Sequence, residues 1–134
     1  MTAGYSGTPL AKKLSLKPAL RAWFDGMPAS VEAEIGEVAL ERLAAPAAPL
    51  DAAHIFVTSY ADMEAKLMAL RPLLAPAGFI WVSWPKRASK VLTDITEDRI
   101  RDAIIPATDL VDVKVCAVDD IWSGLKLMVR RERR

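Results

Sequence analysis

Lys86, Ser89 and Lys90 carry the most legible chemistry in this chain. Two ammonium groups on either side of a hydroxyl can hold an anion such as a phosphate or a carboxylate, and Trp84, just before them, can stack on a planar group. A solvated loop explains the same residues, with the lysines in water and Trp84 packed on the following helix. Trp122-Ser123-Gly124, with Lys126 close behind, is a second candidate corner. A hairpin turn accounts for it equally: Gly124 relieves backbone strain and Trp122 covers the core. Lys12 and Lys13 beside Ser6-Gly7-Thr8 form a third candidate, an anion grip that an amphipathic turn with wet lysines would also produce. The candidate ligand-binding residues are therefore Trp84, Lys86, Ser89, Lys90, Trp122, Lys126 and Lys12.

No catalytic residue and no metal is assigned. His54 is the only histidine and has no second ligand at a metal-binding spacing. Cys116 is the only cysteine and lacks a CxxC partner. Neither a nucleophile elbow nor a phosphate-loop spacing occurs. The basic tail, residues 130–134, has no interleaved aromatics and reads as a solubilising end.

These residues need a scaffold, and the pattern supplies one. Residues 79–83 are a continuous apolar run, the mark of a buried central strand, and 78–90 as a whole is the stretch on which the chain is organised. Before it, Leu10, Leu14 and Leu16 flank Lys12, Lys13 and Lys17, an amphipathic turn ended by Pro18. Residues 21–24 read as the first strand, closed by Asp25-Gly26. Ser30 caps a helix with Glu32 and Glu34 near its positive end, and Gly36 stops it. Residues 38–43 alternate as a strand and also sit at helical spacing; the strand is preferred because Gly36 breaks the helix.

Residues 53–58 read as a buried strand, and Ser59 with Asp62 as the cap of a helix carrying Met63, Leu67, Leu70 and Leu74. Pro72 ends that helix, and Pro76 and Gly78 make the turn. Thr96 caps a further helix, with Ile95 and Ile100 at the two positions of a hydrophobic staple and Pro106 at its end. Val111, Val113, Val115 and Ala117 alternate with polar residues and Cys116, as Leu125, Leu127 and Val129 alternate with Lys126, Met128 and Arg130. Two half-covered strands around the Asp119-Asp120 turn predict an antiparallel hairpin.

Composition sets the outer limits. The chain has 134 residues, 52% of them apolar, and a net charge of +1. That is enough for one domain with a real core, spanning 1–134, with residues 1–18 packing on it. No global field argues for nucleic acid. No apolar run reaches the roughly 18 residues that cross a membrane. A single cysteine and the absence of an export signal pattern point to the cytoplasm.

Strands alternating with helices predict an α/β fold: a three-layer, Rossmann-like, mostly parallel sheet of about six strands with a carboxy-terminal antiparallel hairpin. That order resembles a shortened class I methyltransferase, and Leu16-Lys17-Pro18-Ala19-Leu20-Arg21-Ala22-Trp23-Phe24-Asp25-Gly26 resembles the lead-in to that family's first strand. The resemblance implies S-adenosylmethionine, with Glu41 as a ribose contact. The loop Asp25-Gly26-Met27-Pro28-Ala29-Ser30 holds one glycine where that family's loop is glycine-rich, so no cofactor is expected. Ser6-Gly7-Thr8-Pro9-Leu10-Ala11-Lys12-Lys13-Leu14, Trp84-Pro85-Lys86 with Ser89-Lys90, and the words 111–119 and 122–126 resemble a small bacterial family known as domain of unknown function 3052. It implies a bacterial cytoplasmic protein and no activity.

The expected function is a non-catalytic binding or interaction module on a degenerate methyltransferase-like fold. The alternative is an enzyme or binder acting on a small anionic ligand at the Lys86–Lys90 loop, where the strands end. A homo-oligomer is a further expectation, because 122–129 is apolar on one face and an exposed edge strand invites pairing.

Overall fold

The computed structural model describes residues 8–134; Ser6 and Gly7 of the quoted amino-terminal word lie outside them. Leu10–Lys13 form a single helical turn, α1. The chain then runs β1 (Arg21–Asp25), α2 (Ala29–Ile35), β2 (Glu41–Arg42), β3 (Leu50–Phe56), α3 (Tyr60–Leu70), β4 (Leu74–Pro85), α4 (Glu97–Ala107), β5 (Leu110–Ala117) and β6 (Trp122–Val129). This is the expected succession of strands and helices.

The six strands form one sheet in the order β2-β1-β3-β4-β6-β5. β2, β1, β3 and β4 pair parallel, and β6 pairs antiparallel with both β4 and β5. Alternation along each strand sends side chains to two faces. On one face Ala53, Ile55, Ile80, Val82, Trp84, Leu125 and Leu127 pack against Met63 and Leu67 of α3 and Ile100 and Ile104 of α4. On the other, Ala22, Phe56, Phe79 and Trp81 pack against Leu10 of α1 and Val31 and Ile35 of α2. The architecture is a three-layer α/β fold with β4 at its centre.

Local signals set the helix ends. Ser59 accepts from the Asp62 N–H at 3.3 Å, and Thr96 from the Arg99 N–H at 3.1 Å. Ile95 and Ile100 are both buried beside that second cap. Gly36 stops α2 at φ 73°, a conformation that glycine adopts without strain.

Several expectations need correction. α2 begins at Ala29 with Pro28 at its cap position and no side-chain cap, so Ser30 lies inside the helix. A proline just before the first turn loses nothing there, because its missing N–H would have had no partner. Residues 38–43 do not make a full strand: only Glu41 and Arg42 pair with β1. Leu74 opens β4 rather than extending the α3 face. Between the pairs Leu50–Leu74 and Ala52–Phe79, β3 advances two residues and β4 five, so β4 bulges around Pro76. Gly78 sits in that bulge, where a Cβ would lie 2.6 Å from the Leu50 carbonyl oxygen and 3.0 Å from that of Ala75. Both obstacles are backbone, so Gly78→Ala should destabilise the fold by about 2 kcal/mol, readable as a shifted denaturation midpoint.

β5 also departs from its pattern. A register shift between Asp112 and Lys114 leaves Val113 in a bulge. Val113 and Val115 are consequently 52% and 48% exposed, while Leu110 and Cys116 are buried. β6 is not an edge strand, since it lies between β4 and β5. The true edges are β5, carrying that bulge and Lys114, and the two-residue β2. Short, bulged and charged edges resist pairing, so the argument for an oligomer through 122–129 fails.

Candidate functional site

At the carboxyl end of β4 the chain leaves the sheet through Lys86, whose N–H donates to the Ile121 carbonyl at 2.7 Å. A tight turn, Arg87–Ser89, follows. The Ser89 hydroxyl donates to the Lys86 carbonyl at 2.6 Å and accepts from the Val91 N–H at 3.2 Å. Lys90 then takes a left-handed backbone, φ 62°.

The next segment is tied to the connection between β3 and α3. The Thr93 hydroxyl donates to the Thr58 carbonyl at 2.7 Å, and the Asp94 carboxylate accepts the Tyr60 N–H at the start of α3, also at 2.7 Å. The Arg99 guanidinium lies 4.1 Å from the Tyr60 ring centroid and completes the clasp. Between turn and clasp lies a cleft of about 400 Å³, lined by Trp84, Arg87, Lys90, Thr93, Thr96 and Glu97 among others. Arg87 and Lys90 form no ion pair among the described residues, whereas Glu97 is held by Arg101. The cleft therefore presents cations to its contents.

The candidate residues distribute over three places. Trp84 and Lys90 line the cleft. Trp84 is only 7% exposed and belongs to the core, so it is a wall rather than an open stacking platform. Ser89 serves the turn through both of its hydrogen bonds. Lys86 does not line the cleft; its charge acts on the Cys116 thiol on the opposite face, where burial raises the thiol pKa and Lys13, Lys114 and Lys86 oppose the rise. Arg87 occupies the place expected of Lys86, and the loop's cation content was the signal for it.

Trp122 meets Phe56 edge-on at 5.1 Å on the α1/α2 face, so it shares no site with Trp84. Lys12 and Lys126 come together elsewhere, in a cleft of about 350 Å³ that Lys17 also lines. Among the described residues no group of His, Cys, Asp and Glu could hold a metal ion.

Open parallel sheets bind ligands where the connections diverge, here between the carboxyl ends of β1 and β3. Asp25 ends β1, and the Lys66 ammonium reaches it from α3 at 2.6 Å while also contacting Asp62 at 3.1 Å. The Asp25 hydrogen bond, chiefly, holds Lys66 above its ordinary pKa. Gly26, φ 70°, lies against Phe56, whose carbonyl oxygen would be 3.2 Å from an added Cβ. The helix that follows has only seven residues. Glu41 pairs with Arg21 at the amino end of β1, the edge away from this crevice. These residues do not fit an adenosyl cofactor: Glu41, the acid the resemblance offers for a ribose, is at the wrong edge, and the carboxylate that ends β1 is taken up by Lys66. Lys66 was legible only as the i+4 partner of Asp62.

Among solved structures, a fibrillarin pre-rRNA processing protein of Methanococcus jannaschii superposes with a TM-score of 0.53 over 92% of this chain and 69% of that one, at 10% identity. The fold is methyltransferase-like. No protein-family model and no curated protein matches the chain, so the resemblance to domain of unknown function 3052 rests on the quoted words alone. Among the described residues no helix is long and apolar enough to cross a membrane.

Proposed function

We propose that the chain is a non-catalytic binding module on a methyltransferase-like scaffold, with the cleft beside Arg87 and Lys90 as its working surface. The observation that carries this reading is the Lys66–Asp25 ion pair at the crevice where such folds place a cofactor. A fold does not fix a function, and here the crevice chemistry argues against methyl transfer. Calorimetric titration with S-adenosylmethionine and S-adenosylhomocysteine should give no binding heat. A micromolar dissociation constant for either would overturn the proposal and restore the methyltransferase reading.

A second reading is an enzyme or binder acting on a small anionic ligand in the same cleft. The free charges of Arg87 and Lys90 favour it, because two cations lining one cleft attract carboxylate or phosphate. Citrate is a suitable probe. The double variant Arg87→Ala/Lys90→Ala should abolish its binding heat, and unchanged binding would exclude this cleft.

A further inference from the structure

The cleft that joins Lys12 to Lys126 lies at the opposite edge of the sheet from Trp84, on the opposite face. Ser15, Lys17 and Leu20 come from the segment after α1, Ala77 and Phe79 from the start of β4, and Lys126 and Met128 from β6. The Lys126 ammonium donates to the Ser15 hydroxyl at 3.0 Å and sits 4.5 Å from the Phe79 ring centroid. Lys114 stands directly opposite Lys126 across the β5–β6 pairing, and its ammonium donates to the Lys13 carbonyl at 2.9 Å.

Like charges placed directly opposite on paired strands repel, and folded proteins ordinarily separate or neutralise them. Here they are not neutralised. None of Lys12, Lys17, Lys114 and Lys126 forms an ion pair among the described residues. Residues 1–7 contain no Asp or Glu that could supply one. Six other cations do meet carboxylates: Arg21, Arg42, Lys66, Arg71, Arg99 and Arg101. Lys12, Lys17 and Lys126 line one concavity with an apolar floor, and Lys114 stands beside Lys126.

We propose that this lysine cleft binds a phosphate-bearing ligand. Ammonium groups act as point charges that can converge on a phosphate from several directions, whereas a carboxylate is matched better by the planar fork of arginine. Phe79, Leu20 and Met128 give the group esterified to that phosphate an apolar bed. A bound dianion would also relieve the repulsion around Lys126, whose pKa is lowered by burial first and by Lys114 and Lys17 next.

Two probes and two variants test the site. Inorganic phosphate and phenyl phosphate are titrated into the isotopically labelled full chain while amide resonances are followed. Both should move the signals of Ser15, Lys17, Phe79 and Lys126, and phenyl phosphate should bind several-fold more tightly because its ring meets the apolar bed. If inorganic phosphate binds as well as phenyl phosphate, the ligand is the free anion and the ester part of the proposal falls. Lys17→Gln/Lys126→Gln should weaken binding at least tenfold while the amide spectrum away from the cleft stays that of the wild type, because the lost repulsion offsets the lost Ser15 and Phe79 contacts. Arg87→Ala/Lys90→Ala should leave it intact, which separates this site from the cleft at the other edge. Shifts spread evenly over all lysines, or binding that survives Lys17→Gln/Lys126→Gln, would overturn the proposal.

Discussion

Acidification from pH 6.5 toward pH 3 should remove about 4–5 kcal/mol of stability through one side chain, His54. His54 is 2% exposed, stacked on Phe56 at 4.3 Å, with its Nε2 2.6 Å from the Ser83 hydroxyl oxygen. Burial lowers its pKa from 6.5 to about 3, with no charged partner contributing. The folded state therefore resists the proton that the unfolded chain accepts. Above pH 6.5 neither state is protonated and the contribution is flat. Between 6.5 and about 3 the unfolded state binds the extra proton, so stability falls by about 1.4 kcal/mol per pH unit.

As the chain has one histidine, and unperturbed carboxylates titrate lower, the slope between pH 6.5 and 5 belongs to His54. Denaturant midpoints measured across that interval should show it. The double variant His54→Phe/Ser83→Ala, which removes both polar partners together, should flatten it. A wild-type curve with no slope there would mean that the imidazole reaches water.

Replacing Trp81 should have the other large effect. It is fully buried at the centre of β4, and its indole N–H donates to the Leu14 carbonyl at 2.9 Å. Trp81→Ala loses the ring and opens a cavity, at an expected cost of about 3–5 kcal/mol. Trp81→Phe keeps much of the volume but orphans the Leu14 carbonyl, at about 1–3 kcal/mol. Ser15 follows Leu14 directly, so Trp81→Phe should also loosen the hold of Ser15 on Lys126 and weaken phenyl phosphate binding. Equilibrium unfolding reads the first effect and the amide titration the second. Wild-type stability in Trp81→Phe would show that the hydrogen bond contributes nothing net.

The candidate site was legible in part. Trp84 and Lys90 were readable because one lies at the carboxyl end of a buried strand and the other in the loop just beyond it, and a parallel strand's carboxyl end is where clefts form. The role of Ser89 was not, since a hydroxyl in a tight turn can bond its own backbone as readily as a ligand. Lys66 and Asp25 are 41 positions apart, and nothing local to either announces their contact.

The amino-acid sequence by itself determined the succession of strands and helices, the caps at Ser59 and Thr96, the stop at Gly36 and the buried face of Leu125, Leu127 and Val129. Each depends on periodicity or on backbone groups within a few residues, which are local facts. Tertiary structure alone decided which strand is an edge, that a bulge exposes Val113 and Val115, that His54 is sealed from water, and that Lys126 meets Ser15 across 111 positions. Those outcomes depend on strand order and register, and these are set by how two helix-covered faces bury their apolar surface together rather than by any one segment.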